Sequence, residues 1–294
     1  MSVRTLKLQH PAIRDDIADL STIRPLPGPY VEQVDPFLFL NHHGPQVYRP
    51  GNRGLPFGPH PHRGFETVTF ILEGELAHRD SGGGESVIHA GGVQWMTAGR
   101  GLVHAEVSPD SFKRSGGPLE ILQLWVNLPS KFKMVPPRYV GLQKADIPEL
   151  AVDDGKVRVH LISGAWDGHA APFQSLTDVH MATLYFSPGG TLHASAPASR
   201  NVFLYIVRGD VTVCGVQAEP FHLIELHNDG DHVDIEAAAG AASDAGSEAI
   251  VLFGHAEPLG EPVVAHGPFV MNTREEISQA IRDYQAGTFG GLST

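Results

Sequence analysis

The sequence predicts an all-β protein of two tandem antiparallel β-barrels of the jelly-roll type, followed by a short C-terminal helix. Three observations predict this class. Short β-branched runs are separated by turns, Gly and Pro are abundant at 33 and 23 residues, and one strand pattern occurs twice. Turns at short intervals favour a barrel or sandwich over long helices.

The first half of the chain contains a regular series of predicted strands. Residues 66–72 (ETVTFIL) are rich in β-branched and aromatic side chains, and Glu73-Gly74 turns the chain into the next strand. Further strands are predicted at 75–79, 86–89, 93–97 and 119–128. In the second half, strands are predicted at 180–186, 202–207 and 210–213.

The two halves share a pattern that indicates an internal duplication. FILEGEL at 70–76 matches YIVRGDV at 205–211, so Gly74 and Gly209 are equivalent, and LEILQL at 119–124 matches SEAIVL at 247–252. A repeat of this length is typical of a duplicated domain. We therefore predict two domains, 1–135 and 136–294, with the linker inside 129–154.

The C-terminal end of the chain carries the pattern of an amphipathic helix. Asn272 or Thr273 caps it, acidic residues occupy its first turn, and Gly287 ends it. One face is apolar and contains Ile277, Ala280, Ile281 and Tyr284. The alanine-rich stretch at 237–245 is predicted to be a loop.

Composition excludes several classes of function. The formal net charge is −12, which argues against direct nucleic-acid binding because phosphates require a basic face. Cys214 is the single cysteine, so an intramolecular disulfide and a cysteine zinc site are excluded. Neither a signal peptide nor a membrane-spanning run is recognisable, and a cytoplasmic location is expected.

The strongest motif is GPHPHRGFE at 58–66, which contains a histidine pair. His60 and His62 are two residues apart, so an extended segment places both imidazoles on one face. Pro59 and Pro61 remove backbone donors and keep the segment extended. Imidazole is a common ligand of transition metals, so the pair predicts a metal site.

A second pair, His104 and Glu106, has the same spacing and follows a glycine-rich loop. Together the pairs offer three nitrogens and one carboxylate oxygen, which leaves coordination positions open for water, substrate or dioxygen. Such a set favours one divalent transition metal, iron(II) above copper, manganese, nickel, cobalt or zinc. Glu66 shares the face of His60 and His62 and stays an alternative carboxylate ligand or a partner of an imidazole.

Other residues are assigned from strand alternation. His42 and His43 are adjacent and face opposite ways, so they are interpreted as surface groups or as groups behind the ligands. Val68 and Phe70 continue the face of His62 and are candidate pocket walls.

The runs PHPHRGFETVTFILEG at 59–74 and QWMTAGRGLVHAE at 94–106 resemble the two signature stretches of the pirin family of cupins. DPFLFL at 35–40 and GPFVMN at 267–272 are also similar to pirins, so the resemblance covers nearly the whole chain. Asn41-His42-His43 departs from the acidic residues usual after the first of these. The resemblance implies a bicupin with metal ligands at His60, His62, His104 and Glu106, whereas ordinary cupins use the position of Glu66.

The second half lacks the histidine pair. Counting from the shared anchors, the places of His60, His62, Glu66, His104 and Glu106 are taken by Ser195, Pro197, Asn201, His232 and Asp234. Two such groups rarely hold a transition metal tightly, so the second domain is predicted to be metal-free. The alternative is compensation by His193, His222 and His227.

The resemblance implies a dioxygenase that opens flavonols such as quercetin at the 2,3 position, with a small aromatic substrate and dioxygen as partners. Glu106 is then the candidate catalytic base. A second hypothesis, also suggested by the family, is a metal- or redox-dependent regulator that binds a protein partner. A third is another reaction at the same site, such as isomerisation, without oxygen.

Overall fold

The computed structural model describes residues 2–239 and 248–292, so the predicted loop at 237–245 lies mostly outside the described residues. The chain forms two compact units. The unit that contains the predicted metal ligands, here called the first barrel, comprises Arg14–Arg24, Phe37–Ala145 and Leu259–Thr294. The second barrel comprises Met1–Ile13, Pro25–Pro36 and Asp146–Pro258.

The first part of the chain contains twelve described strands and a short helix. The strands are β1 (Leu6–Pro11), β2 (Ile13–Arg14), β3 (Thr22–Leu26), β4 (Phe37–Tyr48), β5 (Phe57–His62), β6 (Phe65–Glu73), β7 (Glu75–Asp80), β8 (Glu85–His89), β9 (Val93–Thr97), β10 (Leu102–Val107), β11 (Gly117–Asn127) and β12 (Arg138–Leu142). Helix α1 (Asp110–Ser115) lies between β10 and β11. Short 3₁₀ turns follow at Ser130–Phe132, Lys144–Asp146 and Asp153–Gly155.

The remaining described strands belong to the second part of the chain. They are β13 (Glu149–Val152), β14 (Val157–Ser163), β15 (Ala165–Trp166), β16 (His169–Ala170), β17 (His180–Phe186), β18 (Thr191–Ser195), β19 (Asn201–Arg208), β20 (Val211–Val213), β21 (Val216–Ala218), β22 (His222–Leu226), β23 (His232–Ala237), β24 (Ala249–Ala256), β25 (Val264–His266) and β26 (Phe269–Met271). Helix α2 (Arg274–Gln285) follows them.

The first barrel consists of two antiparallel sheets. One has the strand order β12-β9-β6-β11-β4-β3-β2, and the other has the order β5-β10-β7-β8. A buried apolar cluster fills one end and draws on both sheets, with Ile71 and Ile121 from the larger and Leu76 and Ile88 from the smaller. This cluster forms the apolar core of the first barrel.

The second barrel repeats this arrangement. Its sheets have the orders β1-β22-β19-β24-β17-β14-β13 and β18-β23-β20-β21. Gly74 and Gly209, which the sequence pattern makes equivalent, both have positive φ, at 85° and 91°. A Cβ at Gly74 would lie 2.7 Å from the carbonyl oxygen of Pro118, and one at Gly209 would lie 2.4 Å from the Cβ of Ala249. The same turn and close approach at both positions confirm the predicted duplication and the bicupin architecture.

The C-terminal helix is confirmed, and Thr273 is its cap. The Thr273 hydroxyl accepts from the backbone N–H of Glu276, whose carboxylate accepts from the backbone N–H of Thr273. Ile277 and Ala280 are buried against β26 and Phe289. The helix therefore belongs to the compact unit of the first barrel, although it closes the second half of the sequence.

The boundary between the compact units, after Ala145, lies inside the predicted linker 129–154. That range also contains two strands, since β12 pairs with β9 and β13 pairs with β14. The predicted domains 1–135 and 136–294 stay a prediction. Each compact unit is built from three separate ranges of the chain. Among the described residues, no helix combines the length and the apolar character needed to cross a membrane.

Candidate metal centre

The histidine pair of the first motif lies on β5, an edge strand of the smaller sheet. Pro59 and Pro61 lack the N–H that a central strand position uses, so an edge position suits this segment. Antiparallel pairing places His60 directly opposite His104 of β10, and His62 lies two residues further along β5. The pairing brings together the three histidines that the sequence predicts as ligands.

The three imidazoles form one compact cluster. One ligand nitrogen from each of His60, His62 and His104 lies within 4.8 Å of the others. The Nδ1 of His60 lies 2.7 Å from the carbonyl oxygen of Gly58. Because a carbonyl oxygen only accepts, this Nδ1 carries the proton and Nε2 keeps its lone pair.

Burial favours the neutral form of two of the three imidazoles, those of His62 and His104. Desolvation, followed by the neighbouring His60, lowers the pKa of His62 to about 3. Desolvation, with His62 and His60 next, also places the pKa of His104 well below its usual value. Neutral imidazoles are the form that binds a metal ion.

Several buried nitrogens of the cluster have no hydrogen-bond partner. Within residues 2–239 and 248–292, this holds for Nδ1 of His62 and for both ring nitrogens of His104. Buried polar atoms are nearly always satisfied in folded proteins. Converging lone pairs of this kind fit a transition-metal ion, which bonds imidazole nitrogen directly.

Glu106 is buried in the same interior but is held by other groups. Its Oε1 accepts from the Thr69 hydroxyl at 3.0 Å and from the Gln94 amide, and its Oε2 accepts from the Gln123 amide. The cluster of ligand atoms within 4.8 Å comprises the three histidines and does not include Glu106. Oε1 already accepts two hydrogen bonds, whereas Oε2 accepts one and keeps a lone pair, so these bonds orient the group and leave Oε2 able to bind a metal.

Sequence reasoning missed the residues that hold Glu106. Thr69 pairs with Gln94 of β9 on one side and with Gln123 of β11 on the other, and the three form a polar row across the sheet. Directly opposed residues share a sheet face. The signal that could have revealed the two glutamines is that each stands isolated in a mainly apolar run, VQWMT or LEILQLWVN.

Glu66, Val68 and Phe70 lie on the other face of β6. Successive strand residues alternate between faces, and Thr69, which contacts Glu106, has the opposite parity. Glu66 instead accepts from the Thr97 hydroxyl at 2.6 Å. Val68 and Phe70 are buried, but the prediction that they line the pocket is wrong because the parity was taken from β5 and not from β6.

Aromatic rings, and not Val68 and Phe70, lie beside the histidine cluster. The ring of His62 is 5.0 Å from that of Phe65 and 5.4 Å from that of Trp125. Phe65 and Trp125 contact each other at 4.4 Å, and Phe39 stacks on Trp125 at 4.6 Å. These three rings form an apolar aromatic group next to His62.

His42 and His43 are buried, so the interpretation of them as surface groups is wrong. His42 Nε2 lies 2.9 Å from a carboxylate oxygen of Glu120, and His43 Nδ1 lies 2.8 Å from the Thr22 hydroxyl. Burial lowers the pKa of His43 to about 3. Neither joins the metal-competent cluster found among the described residues.

His78 and Tyr139 are a second group that sequence reasoning missed. Their rings stack at 4.0 Å, and the ring of His78 lies 5.4 Å from that of His104. The Tyr139 hydroxyl donates to Gln94 at 3.1 Å, so it contacts one of the residues that hold Glu106. Burial raises the pKa of Tyr139 to about 12.

In the second barrel, the residues at the positions equivalent to the metal ligands do not all face the interior. Ser195 pairs with His232, as the counting predicts from the pairing of His60 with His104. His232 and Asp234, however, alternate with Val233 and Ile235, which are fully buried in the core. His232 and Asp234 therefore face away from the interior, and their interpretation as a reduced ligand pair is wrong.

The remaining candidates of the second barrel also lie apart from a metal cluster. The side chain of His193 is 72% exposed and hydrogen-bonds to Asp234. His222 lies 2.9 Å from the carbonyl oxygen of Pro220. In the part of the chain that the structure describes, His193, His222 and His227 do not form a metal-competent cluster.

A duplicated cupin fold with a histidine cluster in its first barrel defines the class of protein. A family model described as pirin matches residues 19–126, and one described as the pirin C-terminal cupin domain matches residues 181–290. A pirin-like protein of Caulobacter vibrioides is 39% identical over 98% of this chain and 100% of its own length. The chain belongs to the pirin family.

Solved structures agree with this assignment. Quercetin 2,3-dioxygenase from Acinetobacter baumannii superposes with a TM-score of 0.89 at 30% identity, covering 99% of this chain and 100% of the other. The bacterial pirin YhhW from Escherichia coli, solved in complex with nickel(II), has a TM-score of 0.65 at 23% identity, covering 85% and 99%. At 23% identity, the similarity to YhhW supports the fold alone.

Proposed function

We propose that this chain is a metal-dependent dioxygenase that opens flavonols such as quercetin at the 2,3 position. One iron(II) ion is held by His60, His62, His104 and Glu106. The observation that carries the proposal is the cluster of three imidazoles, in which the buried His62 and His104 have unpartnered nitrogens, in the same barrel as the buried carboxylate of Glu106. The similarity to the Acinetobacter quercetin 2,3-dioxygenase supports the choice of substrate class.

When bound, the metal would supply Lewis acidity, which would make the hydroxyl of a bound substrate easier to deprotonate. The chain supplies position. The hydrogen bond from His60 to the carbonyl of Gly58 fixes its tautomer. Burial keeps His62 and His104 neutral, so that they present lone pairs without having to lose a proton.

Glu106 accepts the proton of the flavonol hydroxyl that sits next to the ring carbonyl. Its three donors, Thr69, Gln94 and Gln123, fix the orientation of the carboxylate before substrate arrives. Such preorganisation reduces the rearrangement required during the reaction. The rings of Phe65 and Trp125 form an apolar wall beside His62 and exclude water from that side.

Purification without oxygen, elemental analysis and oxygen uptake with quercetin test the proposal together. We expect about one iron per chain and oxygen consumption that requires both metal and flavonol. His193→Ala, on an exposed side chain of the second barrel, is a matched control that should retain both. Two tightly held ions per chain would contradict the proposed site.

Failure of oxygen uptake would have a distinct meaning if one ion is bound. Metal-dependent capture of a protein partner by a form without turnover would identify a regulator, not an enzyme. Turnover of a substrate without oxygen consumption would identify another cupin reaction. Either result would reject the dioxygenase while leaving the metal centre intact.

A further inference from the structure

The second barrel contains a cavity of about 300 Å³ that the proposed metal chemistry does not use. Two of its lining residues, His180 and His255, are directly opposed on β17 and β24. Ala182 and Phe253 lie two residues further along the same strands and belong to the barrel core. Because strand residues two apart share a face, both imidazoles face the barrel interior.

The aliphatic interior therefore ends in a pair of imidazoles, whose ring centroids are 4.7 Å apart. The volume of the cavity is at the lower end of the range for small-molecule sites. It is large enough for one aromatic ring with a single polar substituent.

A hairpin carries an aromatic ring to this cavity. Strands β15 and β16 are joined by Asp167 and Gly168, both with positive φ, as in a two-residue type I′ turn. Trp166, at the end of β15, lines the cavity and packs against the barrel core. A Cβ at Gly164 would lie 2.5 Å from the His180 ring, so glycine is what lets the hairpin enter this close to the imidazole pair.

Two of the residues that line the cavity, Arg200 and His255, each have one buried nitrogen atom without a hydrogen-bond partner among the described residues. Arg200 is 7% exposed and donates to the Asp178 carboxylate at 2.8 Å and to the carbonyl oxygen of His255 at 3.2 Å. Across the described residues, its Nε and the Nδ1 of His255 have no hydrogen-bond partner. A guanidinium nitrogen can only donate, so the complementary ligand must present oxygen acceptors.

The charges around His255 favour an anionic acceptor. Burial, followed by the neighbouring Arg200 guanidinium and the His180 ring, lowers the pKa of His255 to about 3. The Asp178 side chain is 69% exposed, so water screens it more than it screens the buried guanidinium. Asp167 also lines the cavity, but it is exposed at the tip of the turn and is likewise screened.

We propose that this cavity is a second ligand site that binds a small planar carboxylate of the benzoate class. The carboxylate accepts from Arg200 and His255, and the ring packs against Trp166. The site does not depend on the metal or on the dioxygenase activity proposed for the first barrel.

Calorimetric titration of the metal-loaded protein with benzoate, and with the neutral benzyl alcohol, tests this site. We expect saturable binding of benzoate and at least about tenfold weaker binding of the alcohol, because a hydrogen bond to a charged group contributes that much affinity. His255→Phe keeps the ring volume and removes the unpartnered nitrogen. Trp166→Ala removes the apolar wall from a surface hairpin. Each should weaken benzoate binding about tenfold or more.

His62→Ala, in the first barrel, separates this site from carboxylate binding at the metal. Benzoate affinity retained in His62→Ala and lost in Trp166→Ala supports the proposal. The reverse pattern overturns it, as do equal affinities for benzoate and benzyl alcohol or no binding up to about 10 mM. Melting curves check the fold, and Trp166→Ala decides the matter if His255→Phe does not fold.

Discussion

The two barrels differ most clearly at one row of three residues across the larger sheet. In the first barrel the row is Gln94, Thr69 and Gln123, and all three side chains donate to Glu106. In the second barrel, Leu204 occupies the place of Thr69, since each lies five residues before the equivalent glycine. Leu204 pairs with Ile224 and Phe253, so the corresponding row is fully apolar.

This difference shows how a duplicated fold separates stability from chemistry. The row of the second barrel lies within a single large apolar core, where burial of each side chain contributes free energy of folding. The polar row of the first barrel lacks this free energy of apolar burial, and its side chains instead orient the buried carboxylate of Glu106. A polar row of this kind is stable only if every member is hydrogen-bonded, which explains why the donors and Glu106 occur together.

The largest expected effect is loss of the metal from the first barrel in His62→Ala. Removal of one of three clustered imidazoles should reduce the metal content from about one ion per chain to nearly none and abolish oxygen uptake. The fold should survive, because the apolar clusters of both barrels are untouched. Elemental analysis and a melting curve check this, with His232→Ala in the second barrel as the matched control. Global unfolding of His62→Ala would show that the site is structural.

The next comparison separates the two carboxylates of the first barrel. Glu106→Gln should weaken metal binding and abolish turnover, since its carboxylate is proposed as both ligand and base. Glu66→Gln should keep the metal and most of the activity, because Glu66 lies on the opposite face of β6 and contacts Thr97. Metal content and oxygen uptake of the two variants, measured side by side, decide between them. Full metal and activity in Glu106→Gln, with both lost in Glu66→Gln, would reverse the assignment.

The sequence was sufficient to predict the fold and the histidine cluster. Strands, turns and the repeat are local patterns, and His60 and His62 share a face wherever an extended segment occurs. The contacts and strand faces that the sequence did not predict depend on the register between neighbouring strands. The polarity of His42 and His43 gave no hint of burial, because Thr22 and Glu120 supply their partners from distant segments.

The same limit explains the errors at Val68, Phe70, His232 and Asp234. A shift of one residue in the alternation moves every side chain to the other face. The turn between β5 and β6, which contains Gly64 with a φ of 89°, resets that alternation. Counting positions along the sequence from His62, or back from the SEAIVL segment at 247–252, does not reveal such a shift, whereas the pairing of neighbouring strands does.

A substitution in the second barrel tests whether its apolar row is structural. Leu204→Thr introduces the residue of the first barrel at the equivalent position, where neither Ile224 nor Phe253 can accept its hydrogen bond. We expect a loss of roughly 2–4 kcal/mol in the free energy of unfolding, from the lost apolar volume and the buried hydroxyl. Denaturant unfolding measures this, and metal content should not change. A loss below about 0.5 kcal/mol would show that the row contributes little to the core.

The smallest expected effect concerns one donor of the polar row. Thr69→Val keeps the shape of the side chain and removes the hydroxyl that donates to Glu106 at 3.0 Å. Loss of a group that orients a ligand typically lowers metal affinity or activity about 10–100-fold, and we expect the lower end because Gln94 and Gln123 remain. Thr67→Val, on the same face of β6, is the matched control, since Thr67 is buried but makes no contact with Glu106 among those found for the described residues. Metal dissociation constants and oxygen-uptake rates of the two variants test the role of the row. Equal values for both would mean that the Thr69 hydroxyl does not position Glu106 and that Gln94 and Gln123 are sufficient to hold it.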